Sequence, residues 1–139
     1  VLFRSIQGER RQALGKCFVD SLKLRGVSDT AKLDKAAKAP LRAPMILAGL
    51  LHEVEHTTIG RDEQGHAVAA SLAAAQIAAE SLGFGCIWRT GSYATDPLVV
   101  EMLGGAPGDQ VVGFLYLGTR DGPSKLLPEE SLDAFVSHF

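Results

Sequence analysis

The sequence is poor in cysteine, in tryptophan and in charge of one sign. Its 139 residues include two cysteines and one tryptophan, and 14 basic residues stand against 16 acidic ones. So few cysteines exclude a small disulfide scaffold and favour a reducing, cytoplasmic setting. A balanced charge lacks the clustered positive field that nucleic-acid binding requires, so we expect no nucleic-acid partner.

Long hydrophobic runs are also absent. The longest, residues 43–51, is about half of the roughly 20 residues that a membrane-spanning helix needs. Residues 1–3 are too short for the apolar part of a signal peptide. We therefore expect no membrane partner. Hydrophobic residues still make up 46% of the chain, enough for a core in one domain over residues 1–139.

The first residues do not resemble a native start. Methionine is absent there, and Val1–Ser5 match one translated frame of a common sequencing adapter. This match raises the hypothesis that residues 1–5 are non-native, and we expect a chain truncated at its N-terminus.

Hydrophobic spacing predicts three amphipathic helices. Apolar residues recur every three or four positions over residues 8–24, 29–38 and 62–82. Ser28 is the predicted N-cap of the second helix. The third is rich in alanine, which lets neighbouring backbones approach closely, as in a buried helix or a dimer interface.

Strands are predicted between these helices. Unbroken apolar runs over 44–51 and 110–119 indicate buried strands, and 86–88 a shorter one. Asp96 before Pro97 predicts the start of a short helix. Helices and strands in this order predict an α+β fold with helices on a mixed sheet.

The C-terminal residues, about 120–139, predict an extended arm. The arm carries Phe135, Val136 and Phe139, and exposed side chains of this kind need a partner surface.

Residues 52–56 read His-Glu-Val-Glu-His, the H-E-x-x-H pattern of zinc hydrolases. That chemistry needs both histidines on one helix face. The segment follows a predicted strand and precedes β-branched residues and Gly60, which oppose a helix. We keep a zinc hydrolase as an alternative, beside the simpler interpretation of a solvated polar loop.

Trp88, Arg89 and Thr90 form the cluster of residues that is best suited to bind a ligand. A guanidinium, a hydroxyl and a planar indole together suit an aromatic, anionic cofactor. The alternative is a core tryptophan beside a surface arginine. Arg42 is interpreted as a solvated loop residue, and no catalytic triad can be assembled.

Several ordered stretches resemble a known family. Residues 39–44 read Ala-Pro-Leu-Arg-Ala-Pro, Glu63-Gln64 opens the alanine-rich helix, residues 83–91 read Gly-Phe-Gly-Cys-Ile-Trp-Arg-Thr-Gly, and residues 112–119 read Val-Gly-Phe-Leu-Tyr-Leu-Gly-Thr. Over about residues 6–139 the chain resembles the FMN-dependent nitroreductases, in particular their YdjA-like NAD(P)H nitroreductases.

The resemblance implies a three-layer α-β-α sandwich that forms a homodimer with FMN at the interface. It implies hydride transfer from NAD(P)H through the flavin to a nitroaromatic or quinone-like small-molecule acceptor, chemistry that belongs mainly to the cofactor. No catalytic acid or base is required. The implied FMN contacts are Trp88, Arg89 and Thr90, and the implied nicotinamide nucleotide contacts are Ala78, Ala79, Glu80, Ser81, Leu82 and Gly83.

One departure from the family pattern supports a second hypothesis. The family's N-terminal Arg-Arg-Ser segment, which holds the flavin phosphate, has no counterpart, because Arg10-Arg11 lies after the first strand and lacks the serine. The alternative function is therefore a noncatalytic dimeric domain of this fold that has lost its flavin.

Overall fold

Four strands and four helices make up the main elements of the described chain. The computed structural model describes residues 1–123 and 126–138. In order, the elements are β1 (Leu2–Gln7), α1 (Glu9–Leu24), α2 (Thr30–Lys38), β2 (Met45–Leu51), α3 (Arg61–Ser81), β3 (Phe84–Arg89), α4 (Pro97–Met102) and β4 (Gln110–Thr119). Short 3₁₀ segments cover Ala39–Arg42 and Leu132–Ala134. The predicted helices and strands lie within two residues of these bounds.

Aspartate side chains cap the N-termini of two helices. Asp29 caps α2, its side chain accepting from the backbone N–H of Ala31 at 2.9 Å. The prediction of Ser28 was wrong, because α2 starts one residue later than expected. Asp96 caps α4 as predicted, accepting from the N–H of Leu98 at 3.0 Å.

The sheet has the strand order β1-β2-β4-β3. Each neighbouring pair is antiparallel, so the described strands form an antiparallel sheet rather than the expected mixed one. The physical reason is the position of β4. Strands β2 and β3 run in the same direction and are connected through α3, but β4 lies between them and opposes both.

Helices cover both faces of this sheet, which confirms the three-layer α+β arrangement. On one face, Ile46, Ala48 and Leu50 of β2 belong to the main core with residues of α1, α2 and α4. On the other face, α3 packs against β2, β3 and β4. Its fully buried Leu72 lies against Gly49.

Two paired glycines make room on the α3 face. Gly49 and Gly113 are cross-strand partners in β2 and β4. A Cβ on Gly49 would lie 2.8 Å from Leu72 Cδ1, and one on Gly113 would overlap the indole of Trp88. The missing side chains therefore let Leu72 and Trp88 lie directly on the sheet.

Beyond β4, the described part of the arm exposes apolar side chains. Leu126, Leu127, Leu132 and Phe135 are all largely exposed. Phe139, which was assigned to the same arm, lies outside the described residues. Among residues 1–123 and 126–138, no helix has both the length and the apolar character that crossing a membrane needs.

Candidate functional site

A cavity of about 340 Å³ lies on the α1 face of the sheet. Its lining combines cationic, aromatic and small apolar side chains from five parts of the chain. The lining residues are Phe18, Leu22, Lys32, Lys35, Ala36, Ala39, Arg42, Arg89, Thr90, Tyr93, Phe114 and Tyr116. We call this space the cationic cavity.

Aromatic rings form one wall of the cationic cavity. Phe18 and Tyr93 are stacked, with ring centroids 3.9 Å apart and planes inclined by 10°. The ring of Phe114 meets Phe18 edge to face at a centroid distance of 5.9 Å. Such a wall is complementary to a flat aromatic ligand, because aromatic rings prefer stacked or edge-to-face contacts.

Four cationic side chains surround these rings. Lys32 and Lys35 come from α2, Arg42 from the 3₁₀ segment and Arg89 from the end of β3. No aspartate or glutamate lines the cavity within the described residues, and neither arginine forms an ion pair there. Lys32 alone has a nearby carboxylate, with Nζ 3.8 Å from Asp29 Oδ2. The cavity therefore favours an anionic ligand.

Burial and nearby positive charge have opposite effects on the pKa of Tyr116. Burial raises the pKa of its hydroxyl, while the nearby Arg89 and Arg42 oppose that rise. The Arg89 guanidinium carbon lies 6.0 Å from the Tyr116 ring centroid, within reach of a cation–π contact. Burial likewise raises the pKa of Tyr93, against the effect of Arg25. Both phenols are therefore neutral hydrogen-bonding groups near pH 7.

The structure separates the predicted cluster of residues 88–90. Arg89 and Thr90 line the cationic cavity. Trp88 lies on the opposite face of the sheet, over Gly113. Successive side chains of a strand alternate between its two faces, so the three side chains do not converge within this chain.

The predicted nicotinamide segment lies at the C-terminal end of α3. Ala78, Ala79 and Leu82 line an apolar groove of about 550 Å³ between α3 and the sheet, together with Phe84 and Leu117. This apolar groove opens on the face opposite the cationic cavity.

The other residues of that segment have local roles. Glu80 lies 3.9 Å from Arg120, measured from Oε2 to Nη2. The Ser81 hydroxyl donates to the Ala78 carbonyl at 2.8 Å. Gly83, with φ +86°, ends the helix as its position predicts.

The His52–His56 segment is a loop, and its two histidines form hydrogen bonds with different parts of the chain. His52 Nδ1 lies 3.0 Å from Asp109 Oδ1, and His56 Nδ1 accepts from the backbone N–H of Thr58 at 3.2 Å. No cluster of three metal-ligating side chains was found among the described residues. The zinc hydrolase alternative was wrong, because the two histidines do not share a helix face.

Neither cysteine is prepared as a nucleophile. Burial, with Asp96 and Asp20 nearby, raises the pKa of the Cys17 thiol to about 11. Burial also raises the pKa of Cys86. Thiols of this kind stay protonated near pH 7 and react slowly.

Sequence reasoning missed most of the cationic cavity. Arg42 was interpreted as solvated, and Lys32, Lys35, Tyr93 and Tyr116 were not identified. The lysines stand three residues apart on α2, which places them on one helix face. That spacing indicated a cationic face, but not the aromatic wall opposite it.

Comparison with known proteins identifies the family. The model of the "Nitroreductase family" matches residues 3–119. This chain belongs to the nitroreductase family. It is similar to the Escherichia coli (strain K12) protein named "Putative NAD(P)H nitroreductase YdjA", with 38% identity over 117 residues, which are 84% of this chain and 63% of that protein. The chain thus spans less than two thirds of the length of this relative.

Solved structures share the nitroreductase fold. A nitroreductase-like family protein from Bacillus cereus superposes with a TM-score of 0.78 at 20% identity, covering 99% of this chain and 72% of the other. A variant of NfnB, described as an FMN and NADPH-dependent nitroreductase from sphigopyxis sp. strain HMH, gives 0.71 at 14% identity, covering 98% and 77%.

Proposed function

We propose that this chain acts as an FMN-dependent oxidoreductase that transfers hydride from NAD(P)H to a nitroaromatic or quinone-like acceptor. The observation that carries the proposal is the cationic cavity, in which Arg89 and Thr90 lie beside an aromatic wall. An aromatic, anionic group such as FMN has the chemistry that this lining recognises. Membership of the nitroreductase family supports the same choice of cofactor.

The cationic side chains would hold the phosphate of FMN. Arg42 and Arg89 have no carboxylate partner among the described residues, so their guanidinium groups are available for charge-assisted hydrogen bonds. Lys32 and Lys35 add positive charge on the α2 side. The phosphate then compensates charges that otherwise repel one another across the cavity.

The aromatic wall would exclude water and orient the flavin ring. When bound, FMN supplies the hydride-accepting and hydride-donating chemistry. Phe18, Phe114 and Tyr93 supply apolar ring surface, and the neutral Tyr93 and Tyr116 hydroxyls supply hydrogen-bonding atoms. No side chain of the cavity needs to act as a catalytic acid or base.

We assign the nicotinamide nucleotide to residues 78–83, beside the apolar groove. Ala78, Ala79 and Leu82 there offer apolar surface, and no charged side chain is among the residues that line the groove within the described part of the chain. This groove and the cationic cavity lie on opposite faces of one chain. A second copy is therefore required to bring a cavity and a groove together, and we propose a homodimer with FMN at its interface.

Two surfaces support the homodimer. Helix α3 buries only Val68 and Leu72 fully, and Ile77 of the helix and Leu82 directly after it are exposed. The arm exposes large apolar side chains after β4.

We further propose that the protein is located in the cytoplasm, because its two cysteines, Cys17 and Cys86, are free and a reducing compartment keeps thiols in this state.

The first test is flavin binding by the purified chain. We expect added FMN to lose fluorescence and to co-elute with the protein, and we expect Arg89→Ala to weaken FMN binding about tenfold through loss of a charge-assisted contact. Arg10→Ala, which removes an exposed arginine outside the cavity, is the matched control. Riboflavin, which lacks the phosphate, should bind the wild-type chain more weakly than FMN does, and the difference between the two flavins should be smaller in the Arg89 variant.

The second part of the test is turnover. We expect the FMN-loaded chain to oxidise NADH or NADPH, followed at 340 nm, only when a nitroaromatic or quinone acceptor is present or oxygen accepts the electrons. A chain that binds no FMN would overturn the proposal and favour the noncatalytic dimeric domain. Binding without oxidation of either nucleotide would keep the cofactor and reject the reaction.

A further inference from the structure

A buried serine connects α1 to the turn that follows β3. Ser21 is 1% exposed, although it is polar. Its hydroxyl donates to Asp96 Oδ2 and accepts from Arg25 Nη2 at 2.8 Å. The Ser21 hydroxyl therefore bridges a cation and an anion whose Nε and Oδ2 atoms are 3.9 Å apart.

Both charged partners reach the turn that carries Tyr93. Asp96 follows Tyr93 by three residues, and its N–H donates to the Tyr93 carbonyl at 3.4 Å. The Arg25 guanidinium carbon lies 5.6 Å from the Tyr93 ring centroid. The Tyr93 ring in turn stacks on Phe18, which also belongs to α1. The Tyr93 ring and the side chain of the following cap residue, Asp96, thus both contact α1.

This turn forms one wall of the cationic cavity. Thr90 and Tyr93 line the cavity, but neither belongs to a helix or strand. A turn lacks the repeated backbone hydrogen bonds of a helix or sheet, so contacts from outside contribute much of its rigidity. The backbone N–H of Val111 in β4 donates to the Ala94 carbonyl at 3.0 Å, and the contacts with α1 described above support the turn from the other side.

We propose that Ser21 is a positioning residue of the cationic cavity: it couples Arg25 to Asp96 and so holds Thr90 and Tyr93 where the ligand meets them. Hydrogen bonds to charged groups contribute more than neutral ones, and their loss in a buried site leaves partners unsatisfied. Replacement by alanine frees the turn without changing any side chain that lines the cavity. The ligand-binding part of this inference rests on the proposed function.

The test combines a ligand-free measurement with flavin binding. The chain has two tyrosines, Tyr93 and Tyr116, so ¹⁹F NMR of protein labelled with 3-fluorotyrosine gives two signals, which Tyr116→Phe assigns. We expect Ser21→Ala to broaden or shift the Tyr93 signal and to leave that of Tyr116 close to its wild-type position. We expect the same variant to raise the Kd for FMN about tenfold.

Two control variants separate positioning from general loss of stability. Ser71→Ala removes a helical serine on α3 whose hydroxyl donates to the Ala67 carbonyl. Val68→Ala removes buried apolar volume on the same far face. Both should keep the wild-type Tyr93 signal and bind FMN within about twofold of the wild type, although Val68→Ala lowers the melting temperature.

A second variant keeps the test decisive if Ser21→Ala folds poorly. Asp96→Asn retains an N-cap, because asparagine caps helices as well as aspartate does, but removes the negative charge from the network. It should move the Tyr93 signal in the same direction with a smaller rise in the Kd. Wild-type Tyr93 signals in both variants would overturn the inference. A displaced Tyr93 signal in a chain that binds no FMN would instead uphold the positioning role and reject the proposed function.

Discussion

At the scale of single residues, the α3 face of the sheet depends on two glycines. Gly113 lies under the indole of Trp88, and Gly49 lies under Leu72. The two glycines are cross-strand partners, so the spaces left by their missing side chains lie next to each other on the sheet. Close packing of this kind tolerates no added methyl group unless a neighbouring side chain moves.

Gly113→Ala should therefore displace Trp88. A Cβ at this position overlaps the indole ring, and the overpacking should lower the free energy of unfolding by about 1–3 kcal/mol. Because Trp88 is the one tryptophan of the chain, its emission should shift to longer wavelength as the ring becomes more exposed. The control is Gly65→Ala on α3, where the nearest atom to the added Cβ is Leu51 Cδ2 at an ordinary 3.7 Å. Unchanged emission in Gly113→Ala would contradict this packing.

Single residues also show which parts of the cationic cavity could be predicted from the sequence and which could not. Arg89 and Thr90 were predicted as ligand contacts and lie in the cationic cavity, where their role stays a proposal. Arg42 was not predicted, because a loop arginine between two prolines has the same sequence pattern whether it is solvated or faces a cavity. Its neighbours in space, Arg89 and Tyr116, are far away in sequence.

At the scale of elements, hydrophobic spacing predicted the helices and strands well. Residues 110–119 were predicted as a strand and form β4 with the same bounds. The direction of the strands was not predictable in this way, since a buried strand has the same composition beside a parallel or an antiparallel neighbour. The mixed sheet was inferred from the order of helices and strands, whereas β4 lies between β2 and β3 and pairs antiparallel with both.

Two glycines inside helices should respond oppositely to the same change. Gly15 of α1 faces the Ala37 carbonyl of α2, and a Cβ there would collide with that oxygen. Gly15→Ala should therefore separate α1 from α2 and lower the free energy of unfolding by about 1–3 kcal/mol. Gly65→Ala has room on α3 and should raise it by about 0.5–1 kcal/mol through helix propensity.

Urea unfolding followed by circular dichroism measures both effects in one series. Because α2 carries Lys32 and Lys35 of the cationic cavity, Gly15→Ala should also weaken FMN binding, whereas Gly65→Ala should not. A stabilising effect of Gly15→Ala would show that the contact between α1 and α2 is looser than described.

At the scale of the whole molecule, the cationic cavity is assembled from elements that are distant in sequence. Phe18 comes from α1, Lys35 from α2, Arg89 from the end of β3 and Tyr116 from β4. No local pattern can report such an assembly, because the sheet order decides which strand ends meet. The family resemblance supplied the expectation of a flavin, and the folded chain supplied the lining.

The proposed homodimer predicts association that depends on the apolar surfaces. Sedimentation velocity of the chain should give a dimer at micromolar concentration. Removing the arm after Thr119, at the end of β4, should shift the equilibrium toward monomer, because the exposed Leu126, Leu127 and Phe135 would no longer contribute. Replacing Glu129 and Glu130 of the same arm by glutamine is the control and should leave the mass unchanged. A monomer at all concentrations for the intact chain would contradict the proposal.

The place of β4 also governs when this protein can fold. β4 is the last of the described strands in chain order and an inner strand of the sheet, and β3 has no sheet neighbour other than β4 among the described strands. During synthesis, β1 and β2 can pair once residues 1–109 are made, but β3 has no strand to pair with until β4 is present. Until residues 110–119 are synthesised, the two strand edges that pair with β4 and the part of α3 that packs on β4 stay uncovered, and exposed surfaces of this kind favour aggregation. Completion of this sheet therefore depends on the pairing of strands that are distant in sequence, and we expect its rate to be limited by that separation rather than by helix formation.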